Sequence, residues 1–362
     1  MTPLVFWQRS LDDTRRLLFA QVHFLSASVS AFAIQNRVSS QIKSLPKVIQ
    51  FPPSSFEGDW WKDQIICGDA KAVLHKMSDE SVHLAITSPP YNVGLAYDSH
   101  NDKMPYRKYL AWLMPFWSEL FRVLVPGGRF ALNIAPTSIK DFRPIHYDMA
   151  RRLIHLGFIM RTEILWYKQT MRRRTAWGSF RSPSNPHIIP SWEYVLVFSK
   201  GMWNLPGNKA DADISSEDFI KYSDGFWQIP PETRGRQPFL DSLYPPRRGR
   251  KAPEAKEGHP APFPEELIKR LIKFYSYKNN VVLDPFGGIG TVAAVAARTE
   301  RHYVHIDLSQ KYCSVAAERV AAELKQMRLD EIPVIEGGGT PAPVMVAESK
   351  TKYTTRKTAK RK

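Results

Sequence analysis

The chain has 362 residues, 43% of them hydrophobic, and a formal charge of +16. That length supports one large domain or two modest ones with a sizeable core, and that charge points to a polyanionic partner, nucleic acid first. Its two cysteines, Cys67 and Cys313, lie far apart with no C-x-x-C or His/Cys cluster, which excludes a disulfide framework, argues against a zinc site and fits a reducing compartment.

Residues 1–58 read as an extension that ends in a loose linker, SLPKVIQFPPSSFEGD. Within it, the stretch 17–36 has no Asp, Glu, Lys or Arg and follows basic residues, a weak resemblance to a signal or transit peptide. Gln21, His23 and its serines make it a poor membrane span, and Asp12 and Asp13 spoil the pre-sequence pattern. An appended helix or an over-long start is the preferred reading, and no membrane association is expected.

Residues 59–200 form the next unit. DQIICGDA reads as a strand with a turn, KAVLHKMS as a short helix and VHLAI as a buried strand. YRKYLAWLMPFWSELFRVL has apolar spacing near 3.6 and predicts a helix that VPGG ends. A strand RFALNIA, a helix MARRLIHLGF and two strands, TEILWYK and WEYVLVFSK, follow. Residues 201–258 change character: rich in Pro, Gly and Arg with interleaved aromatics and little periodicity, they read as an irregular insertion. Residues 259–330 return to alternation: a helix PEELIKRLIKFYS, a strand NVVLD, a glycine turn, a helix TVAAVAARTE, a strand HYVHID and a helix KYCSVAAERVAAELKQ. Residues 331–362 end in a basic run, KTKYTTRKTAKRK, read as a disordered tail that adds non-specific affinity for a polyanion. Short apolar strands alternating with helices predict an α/β fold with a mostly parallel sheet covered on both faces. Such sheets bind ligands at the carboxyl ends of their strands.

Two corners fall at such ends. In VVLDPFGGIGTVAAVAA, Gly288-x-Gly290-x-x-Ala293 lies between a strand and a helix, and Asp307 closes the next strand about 19 residues on. This is the spacing of an acid that takes ribose hydroxyls, and it suits a dinucleotide or S-adenosylmethionine alike. The loop opens on Asp284-Pro285-Phe286. A carboxylate there favours the cationic amino and sulfonium groups of S-adenosylmethionine and repels a pyrophosphate. The second corner is ITSPPYN, where two prolines stop the strand VHLAI.

Together, ITSPPYN at 86–92 and DPFGGIGT at 284–291 resemble the catalytic and cofactor motifs of amino-group DNA methyltransferases. The catalytic motif comes first, then the Pro/Arg-rich region, then the cofactor motif, an order that resembles the circularly permuted β class. CGDA at 67–70, VPGGRFALNIA at 125–135, SWEYVLVFSKG at 191–201 and HPAPFPEEL at 259–267 extend the similarity over roughly 59–328.

The resemblance implies a Rossmann-like methyltransferase with a mostly parallel, permuted sheet flanked by helices and an irregular inserted target-recognition region. Residues 59–200 would be its catalytic half and 259–330 its cofactor half. It implies base flipping and direct, metal-free methyl transfer. Ser88 and the carbonyl of Pro89 would accept the N–H groups of a base amine, Pro90 would stiffen the corner, and Tyr91 would stack on the flipped base. Asp307 would take the ribose, Asp69 would face the adenine, and Asp284, Phe286, Gly287, Gly288, Gly290 and Thr291 would line the methionyl end. Residues 259–264 would close over the donor.

A Ser before the prolines resembles the cytosine-N4 enzymes, with adenine N6 the alternative and an NAD-dependent oxidoreductase a remote one. Double-stranded DNA is the expected substrate, in the cytoplasm and held near the nucleoid by DNA binding. Arg172, Arg173 and Arg174, then Arg234, Arg236, Arg247, Arg248 and Arg250, are the candidate DNA contacts. A cognate restriction endonuclease is a candidate partner, a solitary methylase the alternative, and a monomer or a homodimer the candidate assembly.

Overall fold

A computed structural model of the protein describes residues 46–92, 104–137, 142–168, 178–188, 190–232 and 262–330. The framework is one nine-stranded sheet. In chain order its strands are β1 (Val48–Gln50), β2 (Gln64–Cys67), β3 (Val82–Thr87), β4 (Leu124–Ile134), β5 (Phe158–Tyr167), β6 (Trp192–Lys200), β7 (Phe226–Gln228), β8 (Val281–Asp284) and β9 (His302–Asp307). In space the order is β1-β2-β9-β8-β3-β4-β6-β5-β7. Only β6 runs against the others: it is antiparallel to both neighbours, β4 and β5, and every other pairing is parallel. The two motif strands, distant in sequence, are adjacent in the sheet, Leu84 opposite Val282 and Ala85 opposite Leu283.

Helices cover both faces, as a buried parallel sheet requires. On one side pack α1 (Ala70–Lys76), α2 (Tyr106–Val123) and α3 (Ile145–Leu156), whose apolar stripes meet Phe130, Leu132 and Phe198 of the sheet. On the other lie α4 (Ser216–Tyr222), α5 (Glu265–Tyr275), α6 (Thr291–Arg298) and α7 (Gln310–Asp330), around Leu84, Ile86, Val195 and Val282. The helix α6 is buried along almost its whole length, which explains its run of alanines: small side chains let it press against sheet, α5 and α7 at once.

The predicted helices and longer strands form, with shifted ends: α3 starts at Ile145 and β5 already at Phe158, inside the predicted helix, and three larger differences stand out. The presumed linker supplies β1, which extends the sheet by pairing in parallel with β2. VPGG does not separate helix from strand. The chain passes from α2 straight into β4, and the extra residues make a register shift against β3 between Val82 and Leu84. The described part of the insertion, residues 201–232, is not irregular throughout. It holds α4, capped by Ser215 Oγ on the Asp218 amide, and β7, which adds a ninth strand beside β5. Trp227 and Tyr222 anchor that strand in the core.

An ion pair clips this segment to the start of β9. Arg301, with its side chain fully enclosed, grips both oxygens of Asp213 at 2.7 and 2.8 Å and also donates to the carbonyls of Ser276 and Thr299. Burial alone would raise the Asp213 carboxyl, but Arg301 and Lys273 hold it below the ordinary value. Removing Arg301 leaves Asp213 with Lys273 alone, at 3.4 Å, and takes the donor from the carbonyls of Ser276 and Thr299. Arg301→Ala is expected to destabilise the protein by about 3–5 kcal/mol, read as a lowered urea midpoint with an unchanged slope. A loss below about 1 kcal/mol would contradict the clip.

Candidate active site

Because β6 alone is reversed, one edge of the sheet collects the carboxyl ends of the other strands and the amino end of β6. Moving across that edge in sheet order, β2 delivers Asp69, β9 Asp307, β8 Asp284, β3 Ser88, β4 Asn133, β6 Glu193 and β5 Lys168. All of these line one cleft. Its cofactor-type residues lie toward the β2 side and the S-P-P-Y corner beside them, as the adjacency of β8 and β3 dictates.

At the glycine loop, the amide of Gly287 donates to the carbonyl of Ile306 and the amide of Gly288 to Asp307 Oδ2 at 2.9 Å. Asp307 Oδ1 accepts from the Ser309 amide at 2.8 Å, so the acid is fixed before any ligand arrives. A side chain at Gly287 would meet the His305 ring at 2.2 Å, so only glycine lets the loop lie this low over β9. Gly290 has a different role. It sits at φ +78°, opens α6, and would clash with Ala316 of α7 at 2.5 Å if it carried a Cβ. It does not line the cleft, whereas Gly287, Gly288, Thr291 and Phe286 do. The Phe286 ring packs 5.2 Å from Phe116 and 6.2 Å from Trp112, making one aromatic wall. Asp69 caps α1 through the Ala72 amide at 2.9 Å and also faces the cleft.

Asp284 is the most enclosed acid of the group, 2% exposed. Its Oδ1 accepts from Thr87 Oγ1 at 2.7 Å and from the Phe286 amide at 3.1 Å. Burial, helped by the Asp307 charge, outweighs those two bonds and pushes its pKa up to about 7. The Thr87 bond ties the last residue of β3 to the last residue of β8, so the catalytic-type and cofactor-type corners share a rigid joint.

The S-P-P-Y corner is held from three directions. The Tyr109 hydroxyl of α2 donates to the Pro90 carbonyl at 2.7 Å. Asn92 exchanges two hydrogen bonds with the backbone of Met104, at 2.5 and 2.6 Å. Ser88 Oγ donates to the Tyr91 hydroxyl at 3.0 Å. Tyr91 in turn reaches a group that the sequence did not single out: Asn133, whose amide donates to it at 2.7 Å, and Glu193, whose Oε2 lies 3.3 Å away. Lys168 pairs with the other Glu193 oxygen, and its ammonium sits 4.6 Å from the Trp166 ring centre. Asn133 and Glu193 had a signal. Each is a buried polar residue in a strand whose neighbours are mostly apolar, which costs stability unless it is compensated. Pro262 and Phe263, from the segment expected to close over the donor, also line the cleft.

Among the described residues, the charged side chains of this cleft are Asp69, Asp284, Asp307 and Glu193 against the ammonium of Lys168. In a chain of charge +16, that local excess of carboxylate suits a cationic ligand and disfavours a pyrophosphate. The candidate DNA contacts Arg172, Arg173, Arg174, Arg234, Arg236, Arg247, Arg248 and Arg250 lie outside the described residues, as does His259. No helix among the described residues is long and apolar enough to cross a membrane.

Known proteins are similar to this chain. The type II methyltransferase M.MjaVI of Methanocaldococcus jannaschii is 38% identical over 159 residues, 44% of this chain and 81% of the relative. The DNA adenine methyltransferase YhdJ of Escherichia coli is 28% identical over 71% of this chain and 82% of its own. Among solved structures, TTHA0409 of Thermus thermophilus, assigned as a DNA modification methylase and complexed with S-adenosyl-L-methionine, superposes with a TM-score of 0.55 at 29% identity, covering 71% of this chain and 94% of that one. Residues 82–318 match the N6/N4 methyltransferase family described as DNA methylase, a span that holds both corners. The chain belongs to this S-adenosylmethionine-dependent family of DNA amino-methyltransferases.

Proposed function

We propose that the protein is a site-specific DNA methyltransferase that modifies the N4 amino group of cytosine in duplex DNA. The observation that carries the choice of base is Ser88 at the head of the corner, where a hydroxyl rather than a carboxylate faces the cleft. S-adenosylmethionine fits the acidic lining. Asp307 would hold its ribose, Asp69 the adenine side, and Asp284 with Gly287 and Gly288 the cationic methionyl end, against the wall of Phe286. Bound there, it supplies an electrophilic methyl: the amine lone pair forms the new N–C bond, and the electrons of the broken S–C bond stay on sulfur.

The work of the chain is to make a poor nucleophile react. The lone pair of an exocyclic amine is delocalised into its ring. Acceptors that hold its N–H groups out of the ring plane release that lone pair. Ser88 Oγ and the Pro89 carbonyl are the acceptors, and the prolines offer no competing N–H at a corner stiffened by their fixed φ. The rings of Tyr91 and Trp166 offer faces for a flipped base, offsetting part of the unstacking cost. The arginines of 172–174 and 234–250 are the proposed DNA contacts, the phosphate grip positioning the duplex. A partner restriction endonuclease and a cytoplasmic location accord with the type II naming of M.MjaVI.

Adenine N6 is the second reading, and the likeness to YhdJ is what favours it. Both bases present an amine next to a ring acceptor, so the corner serves either. Nucleoside mass spectrometry on DNA from a methylation-free host that expresses the chain separates them. N4-methylcytosine is the expected product. N6-methyladenine with no N4-methylcytosine would overturn the choice.

A further inference from the structure

We infer that Glu193 is a positioning residue that sets the proton direction at Ser88; this rests on the proposed amino-methyl transfer. Glu193 is a carboxylate near the start of a strand whose middle, Val195–Phe198, is buried and apolar, and it is itself only 7% exposed. The fold gains nothing from a charge there. Two cleft groups compensate it: Lys168 pairs with Oε1, and the Asn133 amide donates to Oε2 at 2.7 Å. The same Oε2 faces the Tyr91 hydroxyl at 3.3 Å, and Tyr91 faces Ser88 at 3.0 Å. The main-chain carbonyl of Asn133 also lies within reach of the Tyr91 proton, at 3.2 Å.

A row of hydroxyls has two senses, and what stands at its end selects one. Ionised Glu193 can only accept. The Asn133 amide, donating to the Tyr91 oxygen at 2.7 Å, pushes the Tyr91 proton the same way. Tyr91 therefore donates to this end of the row, where Glu193 and the Asn133 carbonyl both accept, and Ser88 donates toward Tyr91. The Ser88 proton is thus turned away from the substrate, and its lone pairs are left to accept an amine N–H. Were the row reversed, Ser88 would point its proton at the amine nitrogen and tie up the lone pair that must react.

The same row can take up the proton that the reaction releases. Once the N–C bond forms, the amine is cationic and must lose one proton. That proton passes to Ser88 Oγ as the Ser88 proton moves to Tyr91 and the Tyr91 proton to Glu193. The product is then a neutral methylated amine, and Glu193 returns its proton to water. Glu193 comes from the one reversed strand, which is how a strand's beginning reaches this edge.

The test uses the full chain, methyl-tritiated S-adenosylmethionine and unmethylated phage DNA. Glu193→Gln is expected to lower kcat about 100-fold, with Kd for S-adenosylmethionine and Tm within error of the parent. Tyr91→Phe keeps the ring and the Lys168 pair but breaks the row. It should lose as much, and the double variant no more than either alone. A Gln variant within threefold of the parent kcat overturns the inference. So do losses that multiply in the double variant, or a kcat that falls only in step with Tm. A parent protein that labels no DNA overturns the amino-transfer reading itself, and this inference with it.

Discussion

Asp284→Asn is expected to leave the fold intact, stabilise the ligand-free protein near pH 8, and weaken binding of S-adenosylmethionine. The pKa of Asp284 stands near 7 instead of 3.8 because the carboxyl is enclosed. A raised carboxyl pKa means that the folded state prefers the protonated form. The stability it confers is therefore full below pH 4 and is lost as pH rises through 7. Across that window the loss amounts to about 4 kcal/mol. Asn keeps the Oδ1 that accepts from Thr87 and Phe286 but cannot ionise. Its advantage over the parent in urea unfolding should grow from pH 4 to pH 8. A cationic ligand reverses the preference, since it favours the charged form. Titration calorimetry on the parent should show affinity falling about tenfold per pH unit below 7, with proton release on binding. In the variant that slope should vanish. A parent whose affinity is flat from pH 5 to 8 would show that Asp284 does not meet the cation.

Ser88→Ala should leave donor binding nearly unchanged and lower the rate of methyl transfer by about 100- to 1,000-fold, the range found when one preorganised hydrogen-bond partner of a reacting group is removed. The change deletes one oxygen at a part-buried corner whose backbone is held by Tyr109 and Asn92. Stability should hardly move. Burst kinetics with saturating donor and DNA would read the chemical step alone. Because Glu193 acts through Ser88, adding Glu193→Gln to this variant should cost nothing more. A Ser88→Ala protein at a third or more of the parent rate would show that the Pro89 carbonyl suffices alone.

Both corners were legible in the sequence because each is local. At the glycine corner a strand, a turn and a helix start lie within a dozen residues, and at the proline corner the strand and its stop are contiguous, so spacing carries the local geometry. The adjacency of β3 and β8 is not local, and it entered only through the resemblance to a family. Glu193 and Asn133 could be noticed as polar residues in strand-like runs, but not placed in the site, for the same reason. Their meaning depends on which strands lie side by side and on the reversal of β6. The edge strands β1 and β7 escaped for another reason: three residues each, they are held by pairing with β2 and β5 rather than by propensity. VPGG misled because turn-forming residues also serve inside a strand where its register shifts.

The bond between Thr87 and Asp284 also has a consequence in time. A ribosome adds about 5–20 residues each second, so roughly 10–40 s pass between the emergence of β3 and that of its partner β8. During that interval β4 can pair with one side of β3 while the other side keeps its amide and carbonyl groups open. An open strand edge invites pairing with a foreign chain. Faster translation, or a higher dose of nascent chains, should therefore shift the yield toward aggregates before it impairs the activity of whatever folds. The S-P-P-Y corner takes its final shape only when the last quarter of the protein is being made.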